Sequence, residues 1–162
     1  MISPGSVMRR EESLAIGDRG GDPPPARVAF LLEPGRRGAA ALEQATARCA
    51  GSDCELTVVA VAPTVATVCR SCGGVSACAY NGAVREDVSD ALRSAVAGLS
   101  HVGQPINGRL LVDGSDPPFE QWVAQGRFDL VLLPARLGIP GSRRHPAARP
   151  LRRRTSAQIR VV

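Results

Sequence analysis

The segment between residues 109 and 134 is the feature that most constrains how this chain can fold. Two apolar runs, Arg109–Asp113 and Asp129–Leu133, flank a stretch in which apolar residues recur at helical spacing. The second run has almost no polar residue, which is typical of a strand covered on both faces, as in a parallel sheet. The segment therefore predicts a βαβ unit. In parallel sheets, ligands bind at the carboxyl ends of the strands, near the point where the strand order reverses.

The ends of the predicted helix carry signals of their own. Asp116 is placed to cap the helix, and Pro117 and Pro118 suit its first turn, where a missing N–H costs nothing. Gly126 is expected to close the helix in a left-handed conformation. One face of the helix then carries the core side chains Phe119, Trp122 and Val123.

The rest of the chain repeats the alternation of strand and helix. Runs of apolar and β-branched residues predict strands, and apolar residues at helical spacing predict helices. In chain order, the elements expected outside this unit are strand Arg27–Leu32, helix Gly38–Cys49, strand Glu55–Val61, helix Asn81–Leu99, helix Ala147–Arg154 and strand Ala157–Val162. This order predicts an α/β domain over residues 26–162, with an open five-stranded parallel sheet and helices on both faces.

Composition distinguishes the two ends of the chain. Residues 1–25 have mixed charges, glycine and proline but no sustained apolar period, so we expect a disordered arm, in which Met8 is an alternative start.

From Arg127 onward there are nine arginines and a single acid, Asp129, which suits an anionic ligand. Because only 3% of the residues are aromatic, a nucleic acid is the least favoured partner. The sequence has neither a signal peptide nor a membrane-spanning run, which favours a cytoplasmic location.

Five short segments share their order and spacing with a known family. They are Val28–Glu33, Ala40–Leu42, Leu111–Pro117, Phe128–Leu133 and Gln158–Val162. Val28–Glu33 resembles a first strand that ends in an acidic residue. Leu111–Pro117 resembles a helix start with the sequence Gly-Asp-Pro, and Gln158–Val162 resembles a closing strand rich in valine. Together they resemble the universal stress protein family. The resemblance implies a small, non-catalytic stress-response protein that forms a homodimer through the closing strand, Ile159–Val162.

ATP-binding members of that family carry the pattern Gly-x2-Gly-x9-Gly-(Ser/Thr) after the fourth strand. Its glycines let backbone N–H groups close on phosphates, and the hydroxyl residue caps the next helix. When the pattern is shifted along this chain, Gly138 and Gly141 match its first two glycines, but Leu151 then stands at the position of the third glycine. When the pattern is instead aligned by its distance from the last strand, His145 stands at the position of the Gly-(Ser/Thr) pair. The resemblance implies a degenerate site for ATP, another adenine nucleotide or another anion, formed by Glu33, Gly35, Pro134, Arg136, Gly138, Gly141, Ser142 and Arg143. A solvated basic loop is the alternative interpretation.

Three cysteines lie together in a segment without a clear helical or strand period. Cys69 and Cys72 form a Cys-x2-Cys turn followed by glycine, with Cys78 close behind. Such a turn aims two thiolates at one metal ion, here zinc or iron. Candidates for the remaining ligand are Cys49, which is also expected in the core, Cys54, His101 or a partner chain. The same turn suits a reversible dithiol, and an inert loop is the third interpretation. The alternative function is therefore a metal- or thiol-based sensor.

The residue types needed for catalysis are not arranged in a recognisable pattern. The sequence has no nucleophile elbow with Ser, His and Asp, and it contains two histidines. Glu33 and Asp113 follow different predicted strands, so the sequence does not indicate a pair of carboxylates for acid–base work. We therefore expect a binding protein rather than an enzyme.

Overall fold

The computed structural model describes residues 26–33, 36–50, 53–65, 77–99, 103–135 and 145–162. Within these residues strands and helices alternate along the chain. They are β1 (Ala26–Leu32), α1 (Arg36–Cys49), β2 (Cys54–Ala62), α2 (Ala77–Gly98), β3 (Ile106–Val112), α3 (Phe119–Gly126), β4 (Leu130–Leu133), α4 (Ala148–Arg154) and β5 (Gln158–Val161). All nine predicted elements are present. The predicted arm, residues 1–25, lies outside the described residues.

The five strands form one sheet in the order β3-β2-β1-β4-β5. All four pairings between neighbouring strands are parallel. Because a helix follows each of the first four strands, the chain returns to the same end of the sheet before the next strand begins. The strand order runs outward from β1 in both directions, which confirms the predicted open parallel sheet.

Helices cover both faces of the sheet, and each face has its own apolar core. On the first face, α1 and α2 pack on alternate strand residues, among them Phe30, Leu56 and Leu132. On the second face, α3 and α4 pack on the intervening residues, among them Leu31 and Val131. Three of the four β4 residues are buried, which agrees with the prediction that β4 is covered on both sides.

The start of α3 differs from the prediction. The helix begins at Phe119, and Pro118 before it has extended backbone angles. Asp116 does not cap the helix; its Oδ2 accepts a hydrogen bond from the Val112 N–H at 2.8 Å and so closes the turn after β3. The reason is steric, because each residue that precedes a proline is driven out of the helical region. Asp116 and Pro117 both precede one.

The end of α3 also differs from the prediction. The residue in the left-handed conformation is Arg127, with φ of 51°, whereas Gly126 is the last helical residue. Glycine is nevertheless needed at position 126, because a Cβ there would lie 2.3 Å from the Phe128 ring. Glycine is therefore required at this position, but the reason is the close packing of the Phe128 ring and not a positive φ.

The longest helix, α2, begins at Ala77, four residues before the predicted start at Asn81. Its inner side contributes Leu92 to the core of the first face, and Val88 and Ala95 pack against the same core. No helix within the described residues is long and apolar enough to cross a membrane.

Candidate functional site

The strand order reverses between β1 and β4. These two strands are parallel neighbours, with Val28 opposite Leu130 and Phe30 opposite Leu132. The chain leaves β1 toward α1 on the first face and leaves β4 toward α4 on the second face. In sheets of this kind such a divergence opens a crevice at the carboxyl ends of the two strands, which is the usual ligand position.

The first turn of α1 packs directly on the end of β1. A Cβ on Gly38 would lie 1.8 Å from the Glu33 carbonyl oxygen, so only glycine permits this approach. The N-terminal end of α1 is thereby held beside the crevice. Helix N-termini carry unpaired N–H groups and a partial positive charge, which favour an anion.

Glu33 is joined to His145 across the crevice. The His145 Nε2 lies 3.2 Å from Glu33 Oε1, and the exposed side-chain fractions are 3% for the histidine and 25% for the glutamate. The Ala147 N–H donates to His145 Nδ1 at 3.1 Å. Since Nδ1 accepts that hydrogen bond, we assign the proton to Nε2, which then donates to the carboxylate. The glutamate is held in place by a neutral, buried imidazole.

The end of β4 is fixed by its neighbour β5. The Ala135 N–H donates to the Val162 carbonyl at 2.7 Å, and the Val162 N–H donates to the Leu133 carbonyl at 2.8 Å. Pro134, between them, is fully buried. The end of β4 is therefore anchored to β5 by two backbone hydrogen bonds, and His145 lies beside the end of β1.

Two of the eight residues predicted to bind a nucleotide are brought together at the crevice. Glu33 follows β1, and Pro134 follows β4. The other six lie outside the described residues: Gly35, Arg136, Gly138, Gly141, Ser142 and Arg143. The sequence did not predict the pairing of His145 with Glu33, because the two residues are 112 positions apart and no local pattern links them.

Of the three cysteines in this segment, only Cys78 lies within the described residues. Cys78 lies in the first turn of α2 and is exposed, whereas Cys69 and Cys72 lie outside the described residues. Among the residues that the structure does describe, no group of three or more His, Cys, Asp or Glu side chains is arranged to hold a metal ion.

Two other cysteines form a buried pair at the opposite end of the sheet. Cys49 ends α1 and Cys54 begins β2, and each is 3% exposed. The Cys54 thiol lies 3.8 Å from the Cys49 carbonyl oxygen. Burial, followed by the neighbouring Cys54 thiol, raises the pKa of Cys49 from 9.0 to about 12. Cys49 is therefore protonated at neutral pH, as expected for a core cysteine.

Comparison with known proteins places this geometry in a known fold. No protein-family profile and no curated protein sequence matches the chain. A crystal structure of a protein from the universal stress protein family of Burkholderia pseudomallei matches with a TM-score of 0.65 and 19% identity, over 85% of this chain and 95% of that chain. The chain has the universal stress protein fold. This result confirms the fold that the sequence resemblance implied.

Two further structures with the universal stress protein fold contain adenine nucleotides. One is a universal stress protein in complex with cAMP, with a TM-score of 0.57 and 16% identity over 86% of this chain and 98% of that chain. The other is a universal stress protein family protein from Arabidopsis thaliana with AMP bound, with a TM-score of 0.56 and 12% identity over 85% of this chain and 91% of that chain.

Proposed function

We propose that this protein binds an adenine nucleotide in the crevice between the carboxyl ends of β1 and β4 and acts by binding rather than by catalysis, in a stress-response or regulatory role. The observation that carries the proposal is the position of Glu33, held beside the N-terminus of α1 at the point where the strand order reverses. The AMP and cAMP complexes of proteins with the same fold support the choice of ligand.

The crevice offers two different kinds of contact to a nucleotide. A carboxylate accepts hydrogen bonds, so Glu33 suits ribose hydroxyls or an amino group. The N–H groups in the first turn of α1 suit phosphate oxygens. On the β4 side we assign phosphate contacts to backbone groups at Gly138 and Gly141 and to the side chains of Ser142 and Arg143. Gly35, Pro134 and Arg136 complete the proposed site.

His145 is not placed to act as a general base. It is the histidine nearest the crevice among the described residues, and both of its ring nitrogens already have partners, Ala147 and Glu33. A general base needs a free acceptor within reach of the proton that it removes. An imidazole whose Nδ1 accepts a backbone N–H and whose Nε2 donates to a carboxylate does not offer one.

Thermal unfolding in the presence of nucleotides tests the proposal. At about 100 times its dissociation constant, a ligand stabilises the folded state by about 2.7 kcal/mol. For a chain of this length we expect AMP, ATP or cAMP to raise Tm by roughly 5–10 °C. Glu33→Gln should reduce the shift, whereas Gly82→Ala, on the exposed start of α2, should retain it. If none of the three nucleotides changes Tm at millimolar concentration, the proposal is wrong.

We also propose a homodimer formed through β5. This strand is at the edge of the sheet, so one row of its backbone N–H and C=O groups has no neighbouring strand within the described residues. Such an edge pairs readily with a second strand. Light scattering should then give twice the monomer mass of 16.9 kDa, and Ile159→Pro should shift the species toward the monomer. A wild-type chain that is monomeric at all concentrations would contradict the dimer.

A further inference from the structure

A cleft separates α1 from α2 on the first face of the sheet, outside the crevice that holds the proposed nucleotide. Its volume is about 750 Å³, within the range of about 300–1,000 Å³ that small-molecule sites occupy. One wall is the side of α1 between Ala39 and Ala50, and the other is the side of α2 between Ala91 and Leu99. Glu33, at the end of β1, also lines the cleft.

The lining is composed mainly of small and apolar residues. Alanines make up much of both helical walls, and Leu32, Leu42 and Leu99 add larger apolar surface. The hydroxyl of Thr46, which is buried, already donates to the Leu42 carbonyl at 2.8 Å. A peptide segment inside the cleft would therefore leave many backbone groups without partners, which is costly. A hydrocarbon chain has no such groups.

The cleft is long enough for an extended apolar chain. The α1 wall from Ala39 to Ala50 is about 17 Å long at 1.5 Å per residue. A single chain of linked methylene groups is the kind of occupant that fits.

The described ionisable residues that line the cleft share one sign of charge. Among the described residues that line it, the ionisable ones are Glu33 and Glu43, and both are acidic. Glu43 is exposed on α1, at the solvent side of the cleft. A carboxylate or phosphate head group would meet this negative potential, whereas a cationic head group would be attracted by it.

We propose that the cleft between α1 and α2 binds a cationic amphiphile, a molecule with one apolar chain and a positively charged amine or ammonium head. The apolar chain lies between the alanine-lined walls, and the head lies near Glu43, at the solvent side of the cleft. This site is separate from the β1–β4 crevice except for Glu33, which lines both. Occupation of the cleft does not require that the crevice bind a nucleotide.

Calorimetric titration of the full chain with dodecyltrimethylammonium, below its micelle concentration, tests the site. Tetramethylammonium supplies the head alone, and dodecanoate supplies the same chain with an anionic head. We expect saturable binding of the first compound, no measurable binding of the second, and binding of dodecanoate that is weaker by about tenfold or more. Equal affinity for the two long-chain compounds, or no saturable binding below the micelle concentration, would overturn the proposal.

Two variants locate the bound compound. Ala47→Phe places a ring in the cleft from an exposed position on α1, and Ala97→Phe places one on an exposed part of α2 outside the lining. Ala47→Phe should weaken binding by about tenfold or more, and Ala97→Phe by less than about twofold, with both variants folded by circular dichroism. Equal losses in the two variants would place the compound elsewhere. If Ala47→Phe instead dissociates a dimer of the wild-type chain, the occupant is a second copy and the proposal fails.

Discussion

His145 donates a hydrogen bond to Glu33 at 3.2 Å, although 112 positions of the sequence separate the two residues. Their contact joins the end of β1 to the segment that precedes α4, across the point where the strand order reverses. It also fixes the carboxylate that we assign to the nucleotide. The same contact therefore links the packing at this end of the sheet to the position of the carboxylate in the proposed site.

A double-mutant cycle on this pair should give a measurable coupling energy. We expect the free energies of unfolding of His145→Ala, Glu33→Ala and the double variant to yield a coupling of about 1–2 kcal/mol, because the imidazole is buried. Arg93 and Asp90 form an exposed ion pair on α2, and the same cycle there should give less than about 0.5 kcal/mol. Urea denaturation provides both values. Additive effects at His145 and Glu33 would show that their contact contributes nothing.

Two glycine substitutions should have opposite effects on stability. Gly38→Ala places a Cβ against the Glu33 carbonyl, and we expect a loss of about 1–3 kcal/mol as the first turn of α1 is displaced. A Cβ on Gly82, also within a helix, would meet nothing within 4 Å, so Gly82→Ala should stabilise by about 0.5–1 kcal/mol. Compared with the wild-type chain, the denaturant midpoint should be lower for Gly38→Ala and higher for Gly82→Ala. A neutral Gly38→Ala would refute the close packing of α1 on β1.

Alkaline pH should destabilise the protein through Cys49. Its pKa is raised to about 12 by burial, so above pH 9 the unfolded chain releases this thiol proton while the folded chain retains it. Unfolding is then favoured by about 1.4 kcal/mol per pH unit between pH 9 and pH 12. Cys49→Ala should reduce this slope, whereas Cys78→Ala, at an exposed position, should not. Identical slopes in the two variants would contradict this role of Cys49.

The sheet could be predicted from the sequence because its signals are local and agree with one another. β1, β2 and β4 are apolar runs separated by helices of recognisable period, and this alternation requires parallel strands. The boundaries of α3 were harder to predict. Because Pro117 and Pro118 disfavour a helical conformation in the residues before them, α3 begins at Phe119. Gly126 is required for packing against Phe128, whereas the sequence pattern indicated a left-handed cap there.

The candidate site could be predicted only in part, since it depends on contacts between distant segments. Glu33 and Pro134 were identified through the family resemblance, in which they fall at the ends of the first and fourth strands. Gly38 and His145 were not identified as partners of Glu33, because a glycine near a helix start and a histidine before a proline have many other uses. Their roles depend on how α1 and α4 return to the ends of β1 and β4, which only the folded chain specifies.

The measurement that tests the central claim most directly is a map of backbone amide chemical shifts during titration with AMP. If the nucleotide binds in the crevice, the largest changes should occur at the ends of β1 and β4 and at the start of α1, including Gly38, Ala135 and Ala147. The amides of α2 around Ser94, which lines the separate cleft, should change little. An absence of shifts at saturating AMP, or shifts confined to residues away from Glu33, would contradict nucleotide binding at the crevice.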